Sequence, residues 1–380
     1  MRILMICTEK LPVPPIRGGA IQTYISGIAP HLAQKHDLTI LGISDPELRN
    51  LETKDKVRYV RIEGNFFDVY TKGIIKFLRE NENKFDVIHI FNRPLLVLPI
   101  RKVAPKARIF LSMHNDMFEP LKIEAKEAEK VISEVEGITT VSNYIGQRIR
   151  TLFPSAASKL RTVYSGVDLD RFIPYERSNA ARKIREMLQK KYKLGSRKVI
   201  LFIGRISPKK GVDVLIRAMS ELKKRHPDVA LIVVGSRWYS DEKISDYTAY
   251  VRALAAKSPV PIISTGYIPA EKIHEWFWVG DVFVCASQWE EPLARVHYEA
   301  MASGMPFVTT KRGGNAEIIQ DNNGLLVEKP ADPKAIAAKI SKLLDNKALR
   351  QQMGRNGRAM AEKKYGWKRV ASDVLKAWKG

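Results

Sequence analysis

Four groups of residues in this 380-residue chain have the types and spacing to do chemistry. The first is Glu290-Glu291-Pro292-Leu293-Ala294-Arg295-Val296-His297-Tyr298-Glu299, where Glu291 and Glu299 stand eight positions apart across a proline-broken loop into a helix. Glu291 falls before the helix and Glu299 about two turns in, so both can face one site. Ionised carboxylates are acceptors and suit sugar hydroxyls; a solvated helix with ordinary acids would show the same pattern. The second is Gly204-Arg205-Ile206-Ser207-Pro208-Lys209-Lys210-Gly211, between an apolar run and an amphipathic stretch. Arg205 and Lys210 at such a strand-to-helix mouth could clamp a diphosphate, each charge-assisted hydrogen bond contributing about 1.5–3 kcal/mol. A basic loop on a basic protein is the alternative. If both belong to a surface loop, their removal should spare the fold.

The third group is glycine turns: Arg17-Gly18-Gly19 opening a helix, and Gly313-Gly314 with Glu317 after a strand. Glycine lets backbone approach a ligand closely and a helix start offers N–H groups to phosphate, though a bare turn looks the same. The fourth is His114-Asn115-Asp116 at a strand end, where a lone histidine is more often structural than catalytic. No G-x-G-x-x-G, P-loop or G-x-S-x-G motif occurs, and no His/Cys cluster has metal-ligand spacing. Asp168-Leu169-Asp170 has the form of a metal-binding D-x-D but lies in the connection leaving the first domain and reads as structural.

Short apolar runs alternating with helical patterns must position these groups. Strands are expected at 2–7, 38–43, 57–62, 85–91, 108–114, 137–142 and 161–164, with helices near 22–35, 70–81 and 121–134. The pattern degrades into basic sequence at 170–197, a domain junction with room for one helix. A second series has strands at 198–203, 229–235, 260–264, 282–285 and 306–309, and helices at 212–224, 271–276 and 296–302. The tail from Pro333 reads as helical with turns near Gly354–Gly357 and Tyr365–Gly366. Such alternation argues for two doubly wound α/β domains, whose ligands bind beyond the strand C-terminal ends.

Length fits two or three domains at about 150 residues each. Hydrophobic residues at 45% and charged residues at 28% place the chain among folded proteins rather than disordered ones. No apolar run approaches the ~20 residues that cross a bilayer, and the run Ile3–Cys7 is too short for a signal-peptide core. Cys7 and Cys285, each in a strand-like run, read as buried free thiols, which points to a cytoplasmic location. Sixty-four basic against 41 acidic residues give +23, a surface that attracts anions or is simply solvated. A basic patch around Arg101, Lys102, Lys106, Arg148 and Arg150 is expected to meet an anionic membrane or polyanionic glycan.

Taken in order, these pieces resemble the retaining glycosyltransferases of family 4. The resemblance rests on Arg17-Gly18-Gly19, His114, Val163-Tyr164-Ser165-Gly166-Val167-Asp168 with Phe172, and Gly204-Arg205 with Lys210-Gly211. It continues through Glu291-x7-Glu299 with Ala300-Met301-Ala302-Ser303-Gly304-Met305-Pro306, and Gly313-Gly314 with Glu317. Thr8-Glu9-Lys10-Leu11-Pro12, Ala20-Ile21-Gln22, Arg295 and His297 are similar to the spore-coat-associated branch of spore-forming bacteria.

The resemblance implies the GT-B fold, two doubly wound Rossmann-like domains facing a central cleft. The acceptor-side domain would be 1–172, completed by a C-terminal helix at 366–380, and the nucleotide-sugar domain 173–365. It implies a hexosyltransferase-type enzyme moving a sugar from a nucleotide-diphosphate donor, UDP-linked, to an acceptor in spore-coat or cell-envelope glycan synthesis. Gly18 and Gly19 would approach the phosphates, Arg205 and Lys210 would hold them, and Glu299 would bind the ribose. Glu291 would bind the sugar beside Leu293, Ala294 and Arg295, His114 would reach the reacting carbon, and Gly266-Tyr267-Ile268 would meet the base. Acceptors would be read by first-domain loops such as 65–72 and 117–124. No cofactor is implied and turnover is expected without metal.

Ser165, and Leu293-Ala294 after the first glutamate, depart from the family's usual Asn and Phe-Gly, which leaves the donor sugar open. The alternative is a catalytically weak coat or scaffold protein that keeps nucleotide or glycan binding. The location would be cytoplasmic, or peripheral to membrane or spore coat. A nucleic-acid role rests on charge alone, with no reading motif to support it.

Overall fold

The computed structural model describes residues 1–236 and 245–379. The chain folds into two compact units, Met1–Gly166 with Trp367–Gly380, and Val167–Gly366.

The first unit has strands Arg2–Ile6 (β1), Asp37–Ile43 (β2), Leu51–Lys54 (β3), Val57–Ile62 (β4), Val87–Phe91 (β5), Arg108–Met113 (β6), Gly137–Thr140 (β7) and Leu160–Thr162 (β8). Its helices are Ala20–Leu32 (α1), Phe67–Glu80 (α2), Val97–Val103 (α3), Ala125–Glu134 (α4) and Asn143–Leu152 (α5). The sheet order is β3-β4-β2-β1-β5-β6-β7-β8, parallel throughout except β3 against β4. The continuous apolar run of β1 reflects burial on both faces. Leu4 and Ile6 join the core beneath α2 to α5, while Ile3, Met5 and Cys7 face α1. The sequence reading omits β3, whose Leu-Glu-Thr-Lys has no buried residue, and α3 and α5.

The second unit has helices Asn179–Lys191 (α6), Val212–Lys223 (α7), Asp246–Ala256 (α8), Ile273–Val279 (α9), Val296–Ala302 (α10), Pro333–Asp345 (α11) and Lys347–Lys364 (α12). Its strands are Lys198–Ile203 (β9), Val229–Val234 (β10), Ile262–Ser264 (β11), Val282–Cys285 (β12), Phe307–Thr310 (β13) and Gly324–Val327 (β14), in parallel order β11-β10-β9-β12-β13-β14. The expected turn at Gly354–Gly357 is instead the interior of α12. Both glycines serve close packing there: a Cβ on Gly354 would overlap the Gly304 carbonyl, and one on Gly357 would stand 3.3 Å from Met301 Cγ.

The last helix, Trp367–Ala377 (α13), returns to the first unit. Trp367 lies where a Cβ on Gly27 or Gly166 would go, and Trp378 is fully buried against Phe110 and His89. In both sheets the strand order reverses beside the first strand of the series, between β1 and β5 and between β9 and β12. Loops leaving the C-terminal ends of those strands are where such folds bind ligands.

Candidate functional site

In the second unit, two of these loops bring Lys210 and Glu291 together. The turn after β9 runs through Pro208–Lys210 and ends at Gly211, whose φ of 67° is left-handed. Glycine is needed there because a Cβ would overlap the Ala286 carbonyl just past β12. The Gln288 amide donates to the Lys209 carbonyl at 2.8 Å and fastens the two loops. Lys210 Nζ then ion-pairs with Glu291 Oε1, which also accepts from Ser287 Oγ at 2.8 Å. Glu291 is only 4% exposed. Burial alone would raise its carboxyl, but the charge and hydrogen bond of Lys210, joined by Ser287, hold it below the usual carboxylate range.

This pairing sets aside the alternative of a solvated helix acid for Glu291 and corrects one expectation: Lys210 is not an expendable surface-loop cation but the counter-ion of a buried carboxylate. The Gly313-Gly314 turn wraps the same segment. Gly314 N donates to Glu291 O at 2.8 Å and Gly313 N to Glu290 Oε2 at 2.6 Å. Gly313 has φ 52°, and a Cβ there would overlap the Glu291 carbonyl.

Beyond Glu291 the chain takes Pro292–Arg295 to reach the helix, so Glu299 is the fourth residue of α10, one turn in rather than two. Arg295 pairs with it across 3.3 Å. Leu293 and Ala294 pack nearly out of solvent. The Ala294 amide donates to Asn315 Oδ1 at 3.1 Å, and the Ala294 carbonyl stands 2.8 Å from His297 Nδ1. Cys285 lies 3.6 Å from Ser287 Oγ. Burial opposes its ionisation, but the adjacent His297 outweighs this and pulls the thiol down, while Cys285 pulls the imidazole up.

Arg205 is half-buried just after Gly204. A Cβ on Gly235 would overlap the Gly204 carbonyl, and Ile206 N donates to Ser236 O at 2.8 Å. Gly235 N in turn donates to Gly266 O at 3.0 Å, which sets Gly266-Tyr267-Ile268 beside the strand end that carries Arg205. Asp168 Oδ1 accepts from the Asp170 and Arg171 amides, a structural use of the side chain.

In the first unit, Gly18 and Gly19 both have positive φ, 83° and 108°, at the entry to α1. Gln22 in the first turn donates to Thr8 Oγ1 at 3.2 Å and Leu11 O at 3.1 Å, tying the glycine loop to the end of β1. Arg17 is engaged by Asp45 and Glu47. His114 directly follows β6, with its amide on Asn92 Oδ1 at 3.1 Å, its Nε2 3.2 Å from Ser112 Oγ, and its ring edge-on to Tyr24 of α1 at 4.8 Å. The histidine and the glycine loop thus share the C-terminal end of one sheet.

A pair the sequence reading missed lies there too. Glu9, 3% exposed, takes both arms of Arg93, with Nε at 2.6 Å and Nη2 at 2.7 Å. The two stand 84 positions apart and carry no local signal; only the adjacency of β1 and β5 joins them. Ser287, Thr309 and Asn315 were missed likewise. Of the expected basic patch, Lys102, Lys106, Arg148 and Arg150 are exposed, with Arg148 paired to Asp116, while half-buried Arg101 is paired to Glu134.

Two doubly wound units, with a lysine–carboxylate pair at a strand-end switch point flanked by glycine turns, define the class of GT-B glycosyltransferases. The chain belongs to that family: residues 18–171 match the model for Glycosyltransferase Family 4 and 183–360 the model for Glycosyl transferases group 1. It is 41% identical over 379 residues to Spore coat protein SA of Bacillus subtilis (strain 168), covering all of this chain and 99% of that one. It is 42% identical to Putative glycosyltransferase YtcC of the same organism, over 95% of this chain and 88% of that one. Among solved structures, Anabaena Alr3699/HepE in complex with UDP-glucose superposes with TM-score 0.78 at 16% identity, covering 100% and 99% of the two chains. No helix among the described residues is long and apolar enough to cross a membrane.

Proposed function

We propose that this glycosyltransferase is a retaining enzyme that uses a UDP-linked sugar. Arg205 and Lys210 hold the diphosphate and the Gly18-Gly19 turn approaches it. Glu299 binds the ribose, Glu291 the transferred sugar, and backbone at Gly266-Tyr267-Ile268 the base. In the reaction the bond from C1 to the β-phosphate oxygen breaks, the acceptor oxygen bonds C1 on the same face, and the acceptor proton passes to the leaving phosphate. Lys210 stabilises the charge that develops on that phosphate. His114 contacts the sugar at the reacting carbon.

The observation that carries this reading is the ionised, nearly buried Glu291 held by Lys210 and Ser287. A carboxylate kept charged at a strand-end mouth is an acceptor for sugar hydroxyls, and its cation is placed for phosphate. The UDP-glucose in the HepE complex supports the choice of donor class. The test is a thermal-shift panel of UDP, UDP-glucose, UDP-N-acetylglucosamine and GDP-mannose. A ligand at 100 times its Kd stabilises by about 2.7 kcal/mol. NMR of the anomeric centre in the product then checks retention. A flat panel refutes the donor site, and an inverted product refutes the retaining mechanism.

The name of the 41%-identical relative favours a second reading, a coat protein that binds the nucleotide sugar with little turnover. Donor hydrolysis separates the two: UDP binding without measurable release of sugar supports the coat reading.

A further inference from the structure

One residue inside the Glu291–Glu299 segment has no part in the binding roles above and is nevertheless built in at considerable cost. His297 is fully buried. Its Nδ1 stands 2.8 Å from Ala294 O and its Nε2 2.8 Å from Thr309 Oγ1 on β13. The rings of Phe283 and Phe307 lie edge-on around it, at centroid distances of 6.3 and 5.4 Å. A carbonyl only accepts, so Nδ1 carries the proton and donates to Ala294. An imidazole is expensive to desolvate unless both nitrogens are satisfied, and here both are. A leucine would fill such an apolar surround without that requirement.

The same peptide segment is gripped a second time. Asn315, also fully buried, accepts from Ala294 N through Oδ1 at 3.1 Å, and its Nδ2 donates to Cys285 Sγ at 3.8 Å. Both backbone polar groups of Ala294 are therefore held by buried side chains, one from α10 anchored on β13 and one from the Gly313-Gly314 turn. Arg295, at the N-cap of α10, makes no side-chain capping bond that could do this work instead. The Ala294–Arg295 peptide is trans, so directing its carbonyl at His297 turns its N–H the opposite way.

We propose that His297 is a positioning residue of the donor site: through its hydrogen bond to the Ala294 carbonyl, opposite Asn315 on the Ala294 amide, it fixes the Leu293–Arg295 turn against the transferred sugar and so sets donor-sugar discrimination. The role of that turn rests on the donor site proposed above. His297 acts only through Ala294.

Asparagine can place Nδ2 where the histidine Nδ1 stands, whereas leucine leaves the Ala294 carbonyl only the longer bond from the residue-297 backbone amide, at 3.3 Å. The experiment compares wild type, His297→Asn, His297→Leu, Asn315→Asp and Asn315→Leu in the full chain. Backbone hydrogen–deuterium exchange over 289–300 is read together with Kd for UDP, UDP-glucose and UDP-N-acetylglucosamine. Losing one neutral hydrogen bond corresponds to roughly 3- to 10-fold, so His297→Leu should weaken the preferred UDP-sugar by about that factor relative to UDP alone. It should also narrow the preference between the two sugars and speed exchange at 293–296. His297→Asn and Asn315→Asp should stay near wild type in both readouts, even where all variants lose thermal stability. His297→Leu with Asn315→Leu should be less than additive, because both free the same residue, Ala294, one through its carbonyl and the other through its N–H.

Equal exchange and equal sugar preference in His297→Leu and wild type would overturn the inference, as would His297→Asn behaving like His297→Leu. A wild type that binds none of the three nucleotides fails the donor site itself, and exchange at 293–296 then decides whether His297 holds the turn.

Discussion

Replacing Lys210 by alanine should destabilise the second unit strongly and in a pH-dependent way. Glu291 is about 5% exposed in its side chain and Lys210 19%, so the variant leaves a carboxylate in the interior with Ser287 as its remaining hydrogen-bond donor among the contacts above. Breaking a buried pair by removing one partner costs about 3–5 kcal/mol. For a unit of this size that corresponds to a Tm lower by roughly 6–20 °C. In the wild type the folded carboxyl lies below its ordinary value, so the pair's contribution is present above the unfolded pKa of about 4.3 and fades as pH falls through the folded value. In Lys210→Ala, burial is opposed by the remaining hydrogen bonds, such as that of Ser287, without the lysine's charge, and the carboxyl rises. The loss should then be greatest at pH 8 and shrink at pH 5, where protonation spares the cost of the buried charge. Differential scanning calorimetry at both pH values measures it, together with Glu291→Gln and the Lys210→Met/Glu291→Gln double variant, which should recover much of the loss. A penalty below about 1 kcal/mol, as for an exposed ion pair, or one identical at pH 5 and pH 8, would refute the buried-pair argument.

On the donor site proposed above, Arg205→Ala should lower sugar transfer or donor hydrolysis ~30- to 1,000-fold, the effect of losing one donor to a developing anion. Turnover should persist in excess EDTA if, as proposed above, Arg205 and Lys210 supply the positive potential at the diphosphate; activity abolished by EDTA and restored by magnesium would overturn this. His89 is fully buried, neither ring nitrogen has a hydrogen-bond partner among the described residues, and burial, helped by His114, lowers its pKa to about 3. Stability of the first unit should be complete above the unfolded value of about 6.5 and fall by at most ~1.4 kcal/mol per pH unit from there toward 3, and His89→Phe should flatten that slope in a Tm-versus-pH series. Trp378→Ala empties a fully buried site against Phe110 and should cost the first unit about 3–5 kcal/mol by denaturant titration; an unchanged midpoint would refute the role of the chain end as core.

The amino-acid order by itself determined the two α/β series, because strands buried on both faces read as unbroken apolar runs. Lys198–Ile203, Val282–Cys285 and Val296–Ala302 have the bounds their sequences suggest. It missed β3, whose exposed edge residues carry no apolar pattern, and read Gly354 and Gly357 as a turn. A glycine's local preference cannot announce that a helix must pass close to the Gly304 carbonyl. Chemistry was legible as residue type near strand ends: Arg205, Lys210, Glu291, Glu299 and the glycine turns. Which charges meet was not. Lys210 reaches Glu291 across 81 positions, and Arg93 reaches Glu9 across 84, through strand order alone. Burial made the same decision about His297 and Asn315. Their side chains are ordinary in sequence, and only the packing of α10 and the Gly313-Gly314 turn on the sheet turns both toward the single peptide segment at Ala294.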